Sequence, residues 1–159
     1  MNIYPILEGT FAVSKQKEFV YLNEIDKKTD GLILNIRPFL IETDDDLILI
    51  DCGIGARNDV NSYIITKLNS YGFSENKITK ILISHLHKDH VNGLGYFEAD
   101  KFIPNFPNAK IYIQEKEMNY ALNQNSPSYD IKYLNAIKVL PNVVFLNEYS
   151  GKINDQIRF

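Results

Sequence analysis

The chain has 159 residues, enough for one domain with a sizeable core, and its 45% hydrophobic and 23% charged residues exclude wholesale disorder. A net charge of −3 gives no general attraction to nucleic acid or to an anionic membrane. No apolar run approaches the ~20 residues of a bilayer-spanning helix, and the single cysteine, Cys52, excludes an intrachain disulfide.

The N-terminus has no basic segment ahead of an apolar stretch, so the chain is expected to be cytoplasmic and to bind no membrane. Leu32 to Ile50 reads as paired strands, with Ile33, Ile36, Phe39, Leu40 and Ile41 supplying apolar and β-branched positions. Asp44-Asp45-Asp46 interrupts that pattern before Leu47-Ile48-Leu49-Ile50 resumes it. The three aspartates read as a solvated hairpin turn rather than a cation site.

Asp51-Cys52-Gly53-Ile54-Gly55 ends the second strand in a tight glycine loop. Val60, Ile64, Leu68 and Tyr71 then recur at helical spacing, with Asn58 or Asp59 as N-cap and Gly72 closing the helix. Ile78–Ser84 contains the run Ile81-Leu82-Ile83, as a strand buried on both faces would. Strand, loop, helix and strand in that order predict a right-handed crossover in a largely buried sheet.

A short helix is expected around Val91–Phe97, followed by a loop holding Pro104 and Pro107. Lys110–Ile113 reads as a strand and Gln114–Leu122 as a helix with Met118, Ala121 and Leu122 on one face. Ile131, Leu134, Ile137 and Leu140 predict another helix, stopped by Pro141-Asn142. Val143–Leu146 is strand-like, and Gly151–Phe159 looks like the start of a hairpin.

All three histidines fall in one hexapeptide, His85-Leu86-His87-Lys88-Asp89-His90. It directly follows the Ile78–Ser84 strand, and open α/β sheets keep their sites at the C-terminal ends of strands. His85 and His87 can converge from a turn as two imidazole ligands, with Asp89 and His90 adding a carboxylate and a third imidazole. Imidazole and carboxylate together suit Zn2+, and also Mn2+ or Fe2+.

The pattern H-x-H-x-D-H, entered from a buried strand and followed by Val91-Asn92-Gly93-Leu94, resembles the signature of the metallo-β-lactamase superfamily. Phe39–Glu42 and Ile48–Gly53 resemble that family's hairpin ending in an aspartate and a glycine. The resemblance runs from about residue 3 to the end of the chain. It implies an α/β fold: the N-terminal half of an αββα sandwich, a mixed sheet with helices, here one domain over residues 1–159 with the C-terminal half missing. It also implies that His85 and His87 are ligands of a first metal and that Asp89 and His90 are ligands of a second. Asp51 would brace the ligand loop, and Cys52 reads as a small buried residue rather than a nucleophile.

The implied activity is hydrolysis of an ester, lactone or thioester of a small molecule by metal-bound hydroxide, with one or two Zn2+ and with Asp89 also holding the nucleophile. Phe106–Gln114 is similar to the lactonase-like branch, which includes acyl-homoserine-lactone lactonases. The family completes its site with a further histidine, a bridging aspartate and a last histidine, whereas this sequence has no histidine after His90. Three explanations follow: a fragment, a natural half that pairs with a second copy or a complementary chain, or a degenerate site. The alternative to a hydrolase is therefore a non-catalytic metal-binding or interaction domain.

Overall fold

The computed structural model describes residues 1–22, 31–58 and 61–159. Its central element is a mixed six-stranded sheet of β1 (Asn2–Pro5), β5 (Phe39–Glu42), β6 (Leu47–Ile50), β7 (Lys80–Leu82), β10 (Lys110–Gln114) and β11 (Val143–Leu146), in the spatial order β1-β5-β6-β7-β10-β11. β1, β5 and β6 pair antiparallel, while β6, β7, β10 and β11 run parallel. Parallel neighbours need crossovers. Of the three, α1 (Tyr63–Ser70) joins β6 to β7, residues 83–109 join β7 to β10, and α4 (Ile131–Lys138), preceded by α3 (Glu115–Ala121), joins β10 to β11.

The two faces of the sheet follow from the period-2 alternation of strands. Leu40, Leu49, Ile81 and Ile111 lie in one cross-strand row. All are 1% exposed or less, and they share the main core with Ile64 and Leu68 of α1, Met118 of α3 and Leu134 and Ile137 of α4. Burying each such side chain contributes on the order of 2 kcal/mol. The next row, Phe39, Ile50, Leu82 and Tyr112, faces the other way. Its end is lightly covered: Phe39 is 43% exposed and Ile3, on β1, is 56% exposed. Towards β7 and β10, Arg158 and Phe159 close a cavity of about 230 Å³ over Ile50, Leu82, Tyr112 and Leu146.

The expected C-terminal hairpin is present as a bridge from Lys152 to Arg158, with Gly151 and Phe159 exchanging backbone hydrogen bonds. It is tied to the sheet through the aspartate turn. Asp46 accepts hydrogen bonds from Thr79 Oγ1 (2.8 Å), Asn154 Nδ2 (2.6 Å) and Lys80 Nζ. Asp44-Asp45 is thus a solvated bend, but Asp46 is buried and its charge is met by an ammonium of the same chain.

A second sheet, β3-β2-β4, has N-terminal strands that the sequence pattern does not reveal. β2 (Gly9–Val13) pairs antiparallel with β3 (Phe19–Tyr21) and with β4 (Leu32–Ile36). Phe11, Val13 and Ile36 pack on Ile54 and Ala56 of the glycine loop, which places this sheet beside the strand end that carries Asp51.

Four local expectations are corrected. First, α1 begins at Tyr63 with Ser62 as N-cap. Asn58 instead accepts from Asn61 N (2.7 Å) and caps the preceding turn, while Asp59 and Val60 lie outside the described residues. Second, β7 is only half-buried at Lys80 and Leu82, because the far face of the sheet is thinly covered there.

Third, the expected helix starts about one turn earlier, as α2 (Lys88–Val91), which takes in Asp89 and His90, and it is followed by a 3-10 turn at Asn92–Leu94. Fourth, Gly95–Glu98 (β8) and Lys101–Pro104 (β9) form a hairpin in place of the expected helix end and loop. Its two-residue turn puts Ala99 at φ 52, where glycine is usual, so the sequence gives no hairpin signal. Gly72, by contrast, ends α1 as expected: it sits at φ 86, and Phe73 N reaches back to Leu68 O.

Candidate metal centre

Parallel pairing of β6 and β7 brings the strand ends at Asp51 and Ser84 side by side. Asp51 takes a left-handed φ of 59, followed by Gly53 at 79 and Gly55 at 73, so the chain reverses within five residues. Asp tolerates this conformation better than most residues. The reversal turns the Asp51 carboxylate onto the segment after β7: Oδ1 accepts from Ser84 N (2.8 Å), and Oδ2 accepts from Ser84 Oγ (2.8 Å) and His90 Nδ1 (2.8 Å).

The tautomers follow from these acceptors. His90 Nδ1 carries the proton that Asp51 accepts, which leaves Nε2 as a lone-pair donor beside Asp89 Oδ2 at 3.5 Å. Ser84 Oγ donates its proton to Asp51 and so accepts from His85 Nδ1 at 3.1 Å, leaving His85 Nε2 free as well. One carboxylate and one hydroxyl thus set two imidazoles in the form a metal ligand requires.

Burial works to lower the His90 pKa, but the Asp51 hydrogen bond and the charges of Asp51 and Asp89 outweigh it and raise the value. The His85 pKa is lowered, first by burial and then by His90 and His87.

The structure brings the sequence-predicted residues together. The ring of His85 lies 3.9 Å from that of His90 and 4.6 Å from that of His87, centroid to centroid. His85, His87, Asp89 and His90 are all half-buried. Among the described residues, no group of three or more His, Cys, Asp or Glu side chains is arranged to hold a metal as it stands; the imidazoles pack ring against ring. The donor set nevertheless fits a divalent metal in its chemistry: three imidazoles and a carboxylate are neighbours, and Nδ1 of two of the rings is engaged, which leaves their Nε2 atoms as donors. A cavity of about 260 Å³ opens beside Asp51, Asp89 and His90 and is walled by Leu34–Pro38.

Several residues of this region carry no motif. Ser84 reads in the sequence only as a strand end. Glu8, fully buried, accepts from Ile54 N (2.8 Å) and Ala56 N (3.0 Å) and holds the glycine loop from below. The available signal is an acid inside the apolar run Tyr4–Phe11. Tyr133 of α4 accepts from Gly95 N (2.7 Å) and donates to Asn92 O (2.6 Å), clamping the turn after His90. Cys52 is fully buried, and its thiol pKa is pushed well up by burial and by the charges of Asp51 and Glu8, so it is no nucleophile.

Glu8 carries a pH prediction. Burial raises its pKa from 4.5 to about 7 against the pull of its backbone donors. A folded value above the unfolded one means that its contribution is fully present below about pH 4.5 and is lost as pH rises through 7. The loss amounts to about 3 kcal/mol in all. Urea denaturation of Glu8→Gln between pH 5 and 8 should show a flatter stability profile than the unmodified chain. Identical profiles would mean that Glu8 does not titrate in this range.

The family described as anti-Pycsar protein Apyc1 matches residues 35–136, well over half of the chain. The chain belongs to the Apyc1 family. The matched span of this Apyc1-family chain runs from within β4 into α4 and includes the whole His85–His90 loop.

Ribonuclease J of Mycoplasma genitalium is 35% identical over 68 residues, covering 40% of this chain and 12% of that protein. AidC, a dizinc quorum-quenching lactonase in complex with the product N-hexanoyl-L-homoserine, is 27% identical at a TM-score of 0.59, covering 73% of this chain and 44% of that one. A probable metal-dependent hydrolase from Staphylococcus aureus is 22% identical at a TM-score of 0.71, covering 99% and 62%. An N-acyl homoserine lactone hydrolase with N-hexanoyl-L-homoserine at its catalytic metal centre is 22% identical at a TM-score of 0.64, covering 98% and 63%.

The fold is that of the metallo-β-lactamase superfamily. The chain spans less than two thirds of the length of each of these proteins. Among the described residues, no helix is long and apolar enough to cross a membrane.

Proposed function

We propose that this chain carries the ligand loop of a zinc-dependent hydrolase of small molecules, with His85, His87, Asp89 and His90 as the metal ligands. The support is chemical: Asp51 and Ser84 occupy Nδ1 of His90 and His85, so that both Nε2 atoms are left as donors, that of His90 lying 3.5 Å from Asp89 Oδ2. A divalent metal held by these residues would supply Lewis acidity towards water and the scissile group. Asp89 accepts a hydrogen bond from the attacking water and keeps it in line. The cavity along Leu34–Pro38 holds the substrate.

The bond attacked is that of an ester, lactone or thioester, the reading that the lactonase neighbours favour. The ribonuclease J relative favours a second reading, a phosphodiester. The chain has no histidine after His90, so the remaining ligands come from a further segment, a second copy or a complementary chain. A cytoplasmic setting matches the single, buried thiol of Cys52.

The test is metal content per chain by elemental analysis, with solution mass and hydrolysis of lactones, thioesters and phosphodiesters on the same sample. About two metals per chain in an assembled species that turns over one substrate class supports the hydrolase and selects its substrate. Metal-loaded protein inactive on every class makes this a non-catalytic metal-binding domain. His85→Ala and His87→Ala should each remove stoichiometric metal, and retention in either variant sinks the ligand assignment.

A further inference from the structure

Helix α3 and the segment between α3 and α4 make contacts with the ligand loop that the hydrolase reading leaves unused. Leu86 lies between His85 and His87 with its side chain fully buried in the main core. Its amide points elsewhere: Leu86 N donates to Glu117 Oε1 of α3 at 3.0 Å. Lys88 N, just past His87, donates to Ser128 O at 2.9 Å. Beside Ser128, the Tyr129 ring meets the His87 imidazole edge to face, with centroids 4.8 Å apart and planes 76° apart.

We propose that Glu117, seconded by Tyr129, is a positioning residue for the imidazoles of His85 and His87. This rests on the ligand assignment above and extends it to an element that touches no metal. Each peptide unit is planar, so holding its N–H sets the backbone on both sides of it. The Leu86 amide belongs to the peptide that leaves His85, and the Lys88 amide to the peptide that leaves His87. Gripping both leaves the two imidazoles only their side-chain torsions, and Tyr129 narrows that freedom for His87. A carboxylate accepting from an amide makes a shorter and stronger bond than a neutral acceptor, which suits a grip on a loop that carries two ligands.

A first-turn glutamate also favours a helix N-terminus by its charge alone, and the experiment separates the two roles. Glu117→Ala loses the acceptor and the charge, whereas Glu117→Gln loses only the charge. Zn2+ affinity is measured by chelator competition and the visible spectrum of the Co2+ form is recorded. Far-UV circular dichroism and metal-free melting confirm that each variant is folded.

The expected result for Glu117→Ala is about a 10-fold loss of Zn2+ affinity with an altered Co2+ spectrum. Glu117→Gln, which keeps an acceptor oxygen without the charge, falls between Glu117→Ala and the unmodified chain in both readouts. Tyr129→Phe, which keeps the ring edge, stays near the unmodified chain, while Tyr129→Ala loses affinity several-fold. Unchanged affinity and spectrum in Glu117→Ala overturn the proposal, as does an equal loss in Glu117→Gln, which would leave only the charge at work. His85→Ala is measured alongside: if it keeps stoichiometric metal, the ligand assignment itself fails and the inference with it. If it loses metal while Glu117→Ala does not, only the inference fails.

Discussion

Asp51→Asn is expected to leave the chain folded and to weaken its metal binding by about 10- to 100-fold. Asparagine tolerates the left-handed φ of 59 as well as aspartate does, so the loop reversal survives. Its amide oxygen can still accept from Ser84 N. The second oxygen, however, becomes an NH2 donor, facing Ser84 Oγ and His90 Nδ1, both of which now donate to it.

Two donors cannot share one bond, so the His90 imidazole has to reverse. His90 would accept at Nδ1 and carry its proton on Nε2, the atom needed for the metal. Ser84 would turn to accept from the new amide, and its freed hydroxyl proton would no longer oblige His85 to donate from Nδ1. The defect is one of tautomer rather than of packing. Zn2+ affinity by chelator competition, read against the metal-free melting temperature, checks it. A variant that binds Zn2+ as tightly as the unmodified chain shows that Asp51 does not set these tautomers.

Much of this candidate site is legible in the sequence because its proposed ligands are local. His85, His87, Asp89 and His90 share one hexapeptide behind one strand, and the partner strand announces itself by Leu47–Ile50 running into Asp51-Cys52-Gly53. Contacts without a sequence period are not legible. Glu117 meets Leu86 across 31 positions and Tyr133 meets Asn92 across 41. Neither pairing is implied by any local spacing.

Helix and strand patterns fail where a single close approach overrides them. Val91 and Leu94 share a helical spacing, yet the helix stops at Val91. The chain passes so near Cys52 there that only glycine fits at position 93. The hairpin of β8 and β9 is hidden for a related reason, since its turn uses Ala99 where a glycine would have signalled it. Asp46 teaches the converse. A run of three acids reads as solvent-facing, but the residue next to β6 is drawn inward by Lys80 and Thr79 of the neighbouring strand end.

Gly93→Ala is expected to cost about 3 kcal/mol or more of folding stability, at the upper end for overpacking. A Cβ at position 93 would lie 1.8 Å from Cys52 O and 2.7 Å from Cys52 C. These are backbone atoms, tied to His90 O through Cys52 N at 2.7 Å and flanked by the Gly93 N to Gly53 O bond at 3.1 Å, so they cannot swing aside like the tip of a side chain. Relief requires parting the Asp51–Gly53 loop from the turn after α2, the same contact that keeps Asp51 on His90. The variant should therefore lose metal binding together with stability, unlike Asp51→Asn.

Gly72→Ala provides the internal control. Position 72 faces open space, with nothing within 4 Å of where the alanine methyl would sit, but has a φ of 86, so only backbone strain of about 1 kcal/mol is expected. Urea denaturation of both variants compares a steric cost with a conformational one. A Gly93→Ala chain no less stable than Gly72→Ala would show that the two strand-end loops are not in the close register on which the ligand geometry depends.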